Sequence, residues 1–353
     1  MTGDHLKLTA YFAERSRAHG RFLADALMSR YAADAVATSI VLRGTASYGP
    51  HHDLRSDRTL SLSEDPPNTV IALDTAEKMA SLADEVAAMT HRGLVALERV
   101  RLVGASTPAA PAAAKLTVYL GRQDRIGGQP AHVVACDLLY RHGFAGAAAF
   151  LGVDGTTLGA RRRARFFSRN IDVPMMVIAI GVGTQVDSAV AELRAQLPAA
   201  LITIERTQLC KRDGRILAPP AALPATDAAG RGLWQKLMIY TSEATLHDSV
   251  PVHRAIVRRL FDSRAAQGVT VLRGVWGFHD DHKPHGDKLI QVTRRVPVTT
   301  IVIDTPERIA GIFGVVDELT GRHGLVTSEL VPALVSIDDG RRLGTLSPAD
   351  YRY

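Results

Sequence analysis

The sequence predicts an α+β fold in which one β-α-β-β-α-β unit is written three times along 353 residues. Three observations carry that prediction. A strand motif, Lys7-Leu8-Thr9-Ala10-Tyr11, returns as Lys115-Leu116-Thr117-Val118-Tyr119 and as Lys236-Leu237-Met238-Ile239-Tyr240. Val41-Leu42-Arg43-Gly44 returns as Val271-Leu272-Arg273-Gly274, with Ala149-Phe150-Leu151-Gly152 as a weaker middle copy. A proline then precedes an apolar run in each copy: Pro67 before Val70-Ile71-Ala72-Leu73-Asp74, Pro174 before Val177-Ile178-Ala179-Ile180, Pro297 before Ile301-Val302-Ile303-Asp304. Pro67 lies 60 positions after Lys7, Pro174 lies 59 after Lys115, and Pro297 lies 61 after Lys236. Order and spacing both hold, and self-similarity at a fixed period decides architecture before any local signal.

Each element of the first copy follows from its pattern. Leu6 to Phe12 alternates with period two and reads as a strand. Phe22, Leu23, Ala26, Leu27 and Tyr31 fall on one face of a helix. A second strand covers 37–45, a long polar loop 46–63, and a third strand 67–73. Asp74-Thr75-Ala76-Glu77, like Asp304-Thr305-Pro306-Glu307, reads as a capping box opening a second helix. A closing strand over 94–103 completes the split-βαβ, or ferredoxin-like, order.

The boundaries follow. Unit one spans 1–104, unit two 114–213 and unit three 233–336, with a tail over 337–353. The joining segments, 105–113 and 214–232, are rich in Pro and Ala and poor in periodicity, as spacers are. Three units of this size fit a chain too long for one compact core. At 46% hydrophobic and 22% charged residues, with a mean hydropathy of +0.03, the chain is too apolar for disorder and too charged for a membrane bundle. Its opening residues lack the pattern of a secretory signal. Two cysteines, Cys136 and Cys210, are too few for a disulfide scaffold or a four-ligand zinc site. A cytoplasmic location is the expectation. The net charge of +6 and the shortage of aromatic residues give no reason to expect nucleic acid as a partner.

The pattern Lys-Leu-Thr-x-Tyr, Val-Leu-Arg-Gly, Leu-Ser-Glu-Asp-x-Pro (residues 62–67) and Val-Ile-x-x-Asp resembles the PII-like family called domain of unknown function 190. Copy three adds Gly277-Phe278-His279, His285-Gly286-Asp287 and Val302-Ile303-Asp304-Thr305-Pro306-Glu307. The resemblance implies ferredoxin-like units that trimerise and hold small effectors between subunits, near a long loop after the second strand. Written three times on one chain, it implies a monomer acting as an intramolecular trimer with pseudo-threefold symmetry. The implied function is a non-enzymatic regulator whose effector is a small anion, with ATP, ADP or AMP as candidates. The resemblance also implies a membrane transporter of the fluoride-channel type as partner.

Candidate site residues come from the copies themselves. Glu14 follows the first strand and Arg43-Gly44 ends the second; Glu243 and Arg273-Gly274 repeat this in copy three. Copy two changes both side chains together, to Arg122 and Leu151. The pair reads two ways, as an anion pocket with bidentate arginine contacts or as an ion pair closing a sheet edge. Arg161, Arg162, Arg163, Arg165 and Arg169 form a basic loop for an acidic partner or anion, with a solvated loop as the plain alternative. His279, His282 and His285 could ligate a metal, although their spacing matches no rigid motif, so a metal-tolerance protein is the alternative function. A nucleotide-acting enzyme is the second alternative. Gly181-Val182-Gly183 hints at a dinucleotide fingerprint, but the third glycine position holds Val186 and the segment aligns with ordinary helix starts. No catalytic constellation emerges: Cys136 reads as a buried structural thiol, and no serine sits in a nucleophile elbow.

Overall fold

The computed structural model describes residues 5–50, 53–56, 65–104, 110–163, 173–279, 283–286 and 296–351. Unit one runs β1 (His5–Ala13), α1 (Leu23–Ala33), β2 (Thr38–Tyr48), β3 (Pro67–Thr75), α2 (Ala76–Met89) and β4 (Arg92–Leu102). Unit two runs β5 (Ala113–Gly121), α3 (Ala131–Arg141), β6 (Gly146–Leu151), a hairpin of β7 (Asp154–Thr157) and β8 (Ala160–Arg163), β9 (Pro174–Val182), α4 (Thr184–Gln196), β10 (Leu201–Arg206) and β11 (Gln208–Arg212). Unit three runs β12 (Trp234–Ser242), α5 (Val252–Ser263), β13 (Val269–Arg273), β14 (Trp276–His279), β15 (Pro297–Asp304), α6 (Pro306–Thr320) and β16 (Leu325–Val331), then a hairpin of β17 (Ala333–Asp338) and β18 (Arg341–Thr345).

Among the described residues, six helices and a large antiparallel sheet make a mixed α+β fold. In every unit the four main strands lie in the order fourth, first, third, second, with each neighbouring pair antiparallel. Period-two alternation gives each sheet two apolar faces. Leu6, Leu8, Ala10 and Phe12 of β1 pack under α1 and α2, against Leu27, Tyr31, Met79 and Val86. The opposite face of the sheets feeds a core shared by all three units, including Ile40, Ile71, Tyr119, Phe150, Met238 and Leu334. Because α1 carries Leu23, Leu27 and Tyr31 on one face, all fully buried, it needs only one sheet surface; the sheet needs the neighbouring units for the other.

Backbone pairing joins each unit to both others. The end of β2 pairs with β13 of unit three, from Leu272↔Gly44 to Val269↔Tyr48. β14 of unit three pairs with β6 of unit two, and β7 of unit two pairs with β2 of unit one. A second set uses the fourth strands: β4 with β10, β11 with β16, and β17 with β4. The crossings explain Gly44 and Gly274. A Cβ on Gly44 would stand 2.7 Å from the Pro67 ring and 2.8 Å from the Val271 carbonyl; on Gly274 it would stand 2.8 Å from the Pro297 ring and 3.1 Å from the Ala149 carbonyl. The packing of Pro67 and Pro297 against these bends is why proline and glycine recur together.

Two expectations change in detail. Asp74 and Asp304 do not cap the second helices; Thr75 and Thr305 hold that position, and Thr305 accepts from the Arg308 amide. Asp74 instead accepts from the amides of Thr75 and Ala37, and Asp304 from those of Thr305 and Gln267. Each carboxylate thus ties the third strand's end to the chain entering the second. The residues from 337 onward do not trail away: β17 runs through 336 and lies on β4 of unit one, where Ala333, Val335 and Ile337 complete the first unit's core. Gly183 caps α4 from a left-handed conformation, φ 47°, so Gly181-Val182-Gly183 is a helix entry, as its alignment implied.

Candidate functional site

The first and second strands of units one and three end together, as their order requires. Arg43 Nη2 lies 2.7 Å from Glu14 Oε2, and Arg273 approaches Glu243 Oε2 through Nε at 3.0 Å and Nη2 at 2.9 Å. The same backbone bond marks the site in each copy: the amides of Glu14, Arg122 and Glu243 donate to Pro66, Val173 and Val296. The ion-pair reading of these residues is therefore realised in two units, while unit two carries Arg122 and Leu151 there. The unit-one pair is half exposed and contributes little to stability.

A residue that sequence reading missed sits beside the unit-three pair. His253, on the first turn of α5, is 5% exposed, and its Nδ1 has no hydrogen-bond partner among the described residues. Burial pushes its pKa down to about 4, with Arg254 and Arg273 acting in the same direction. His132 occupies the same helix position in unit two, with Nδ1 again buried and unmatched and its pKa lowered by burial, then by Arg125 and Arg122. Because the folded value of His253 lies below the ordinary 6.5, its stabilising share is whole above that pH and is lost as pH falls from 6.5 towards 4. By linkage the loss is about 3 kcal/mol. A His253→Gln variant is expected to lose that part of the acid sensitivity, read as the change in urea midpoint between pH 7 and 4.5. An unchanged pH dependence in the variant would remove His253 as its source.

The arginine loop is partly committed within the fold. Arg161 lies 2.7 Å from Asp25 of α1 and 2.5 Å from Asp154; Arg163 lies 2.9 Å from Asp25. These contacts dock the β7–β8 hairpin on unit one. Arg162 adjoins them in β8, and Arg165 and Arg169 lie outside the described residues. Of the three candidate metal ligands, His282 also lies outside the described residues. His279 is buried in β14, paired with Gly146, and His285 is held by its Nδ1, 2.8 Å from the Lys283 carbonyl. His285 pairs with Gly277, two positions before His279 in β14.

Where units one and three meet, a cavity of about 300 Å³ opens between the end of β1, the end of β2, β13, β15 and β17. Its apolar lining includes Tyr48, Trp234, Ile301 and Leu334; Arg15, Arg55 and Arg92 line it with Asp53 and Asp65. Burial, then Asp304, pushes the Tyr48 phenol up, so it stays protonated. Arg92 is clamped to Asp339 by two hydrogen bonds, Nε to Oδ1 at 2.7 Å and Nη2 to Oδ2. Neither Glu14 and Arg43 nor Glu243 and Arg273 line this cavity. The signal missed is diffuse, because the lining comes from eight separated stretches of chain.

The largest feature unseen in the sequence is a closed loop of alternating charge in the shared core. Lys7 bridges Glu98, at 3.2 Å, and Glu205. Lys115 bridges Glu205, at 3.1 Å, and Glu329. Lys236 bridges Glu329, at 2.8 Å, and Glu98. Each lysine is the first residue of the recurring strand motif, and each glutamate lies on its own unit's fourth strand. All six side chains are buried. One carboxylate oxygen of each glutamate lies within 4.8 Å of the other two, the convergence a metal triad needs. Three ammonium groups already neutralise these carboxylates, so the donor set does not suit a further cation.

The family described as Uncharacterized ACR, domain of unknown function 190, matches the chain three times, over residues 5–102, 113–209 and 234–333. A "UPF0166 protein" of Aquifex aeolicus (strain VF5) is 30% identical over 99 residues, covering 28% of this chain and 90% of that protein. Among solved structures, the crystal structure of aspartate kinase from Synechocystis aligns at 12% identity and a TM-score of 0.24, covering 96% of this chain and 45% of that one. A likeness at that score carries no argument. Among the described residues no helix is long and apolar enough to cross a membrane.

Proposed function

The chain belongs to the family of domain of unknown function 190, as three tandem copies on one polypeptide, and from that premise we propose a PII-like, non-enzymatic regulator that binds a small anionic effector between its units. In this reading the units are ferredoxin-like and pack as a pseudo-threefold trimer within one chain. The six-membered charge loop and the two sets of cross-unit ladders support that packing, since each unit contributes one lysine and one glutamate and touches both others. The observation that carries the function is the cavity between units one and three. It offers aromatic and aliphatic walls for a flat, apolar ring and a mixed charged rim in which Arg15 and Arg55 stand with Asp53 and Asp65, the mixture typical of small-molecule sites. An adenine nucleotide matches that chemistry. The buried thiols of Cys136 and Cys210, both raised by burial, are poor nucleophiles, which supports binding over catalysis.

The long loops after the second strands would report occupancy to a partner, a membrane ion transporter being the type implied by resemblance, at the cytoplasmic face. The test is thermal unfolding with ATP, ADP and AMP. A nucleotide at a hundredfold excess over its Kd stabilises the folded chain by about 2.7 kcal/mol, a readily measured shift. No shift with any of the three at ~1 mM, where even ~0.1 mM affinity gives over 1 kcal/mol, would sink the nucleotide reading.

A further inference from the structure

A second concavity, of about 420 Å³, lies where the ends of α5 and α6 face the β17–β18 hairpin. Arg264, Arg308, Arg341 and Arg342 are among its lining residues, with Asp338 the one acidic residue among them. No salt bridge engages Arg264, Arg341 or Arg342 among the described residues. Arg308 is held loosely, with Nε 3.8 Å from Asp304 and Nη1 3.5 Å from the Arg264 carbonyl. Arg264 stands in a left-handed conformation, φ 53°, just after α5. The left-handed residue after the matching helix of unit two is Gly143, and of unit one Ala35. A long cationic side chain is thus kept where the backbone favours glycine. The hairpin that brings Arg341 and Arg342 is pinned at its turn to unit one, through Asp339 to Arg92 and through the Asp339 amide to the His91 carbonyl.

Arginines gathered around one cleft repel one another, and the lining supplies one carboxylate, with Asp304 only loosely engaging Arg308. A monoanion would leave the charge unbalanced. A chain of phosphates presents several charged oxygens at the spacing that guanidinium forks bind. We propose that this cleft is an oligophosphate-binding site, which draws the C-terminal hairpin onto the third unit's helix ends. The site does not rest on the identity of the effector in the apolar cavity. Pro50, Gln267 and Ser336 line both spaces, so the phosphates can come from a nucleotide whose base lies in that cavity or from a free oligophosphate.

The experiment is calorimetric titration of the full chain with inorganic tripolyphosphate at low salt. An Arg341→Gln/Arg342→Gln variant is expected to bind about tenfold more weakly, a loss of about 1.4 kcal/mol. Arg258→Gln, which removes an exposed arginine on α5 outside the cleft, is expected to bind as the parent does. No binding by the parent at millimolar tripolyphosphate overturns the proposal, as does unchanged binding in the double variant or an equal loss in Arg258→Gln. Should the double variant unfold by circular dichroism, Arg264→Gln carries the same comparison without touching the hairpin. ATP in place of tripolyphosphate separates the sources. Tighter binding of ATP, lost in part in the double variant, assigns the phosphates to a nucleotide. Equal affinity assigns them to a free oligophosphate and counts against the effector reading while leaving the arginine site standing.

Discussion

Ending the chain after Pro332 is expected to yield a protein that unfolds at much lower denaturant and associates more than the full chain does. The cut removes β17, whose Leu334, Val335 and Ile337 are at most 3% exposed, together with six backbone register pairs to β4. Three such side chains contribute about 5–9 kcal/mol at 1.5–3 kcal/mol each, comparable with the whole stability of an ordinary domain. Leu334 belongs to the shared core, while Val335 and Ile337 belong to unit one, so the damage reaches beyond the seam. The freed edge of β4 is a template for pairing with other chains. Light scattering after gel filtration should show association, and those amides of Arg92 to Leu97 that face β17 rather than β1 should lose their protection from hydrogen exchange. A truncated chain that associates no more than the parent and melts within a few degrees of it would show that this strand is an ornament.

The second large effect is expected at the buried charge loop. Lys115→Met leaves three carboxylates against two ammonium groups in the buried core, and breaking a buried ionic group from one side costs about 3–5 kcal/mol. Lys115→Met combined with Glu329→Leu leaves two of each sign and should cost less than the single change, although it alters more atoms. That ordering separates charge imbalance from lost packing; the reverse ordering, measured by urea unfolding, would argue that the lysine is held for its aliphatic stem. The pH window follows from the shifts. Burial alone would lower the three lysines, but the neighbouring carboxylates more than reverse it, so their values lie above the ordinary 10.5. Burial would raise Glu98 and Glu329, and the lysines around them bring both below the ordinary 4.5. Raised lysines stabilise below 10.5 and lose that share as pH climbs through their folded values. Lowered glutamates stabilise above 4.5 and lose it as pH falls. The loop's contribution is therefore whole between those two limits and declines on either side.

The unit order was readable because period-two and helical patterns recur at a fixed spacing, and β1, β2, β3 and β4 lie within a few residues of where alternation places them. Arg43 with Glu14 and Arg273 with Glu243 were readable because the strand order sends both ends to one edge. The charge loop escaped although Lys7, Lys115 and Lys236 were in view as motif residues. Their partners, Glu98, Glu205 and Glu329, sit in strands whose flanks differ, Leu97 and Arg99 in one and Ser328 and Leu330 in another, so no shared motif draws attention to them. A charge facing away from Leu6 and Leu8 also looks solvent-facing until the opposite sheet face is known to be covered. The cavity and the arginine cleft were illegible for a different reason. Both are made where residues near 50, 267 and 336 meet, and the cross-unit pairing that joins them is written in backbone groups that every sequence shares.

Every seam described above lies within one chain, and that has a consequence for behaviour on dilution. Separate subunits joined by the same ladders would assemble with a rate and yield that fall steeply with concentration. Here the short connecting segments hold each unit near its neighbours at an effective concentration on the order of millimolar. Closure is thus a first-order event, as complete in a nanomolar sample as in a concentrated one. Each seam is also free to drift in sequence on its own, because no symmetry operator copies a substitution in one onto the other two.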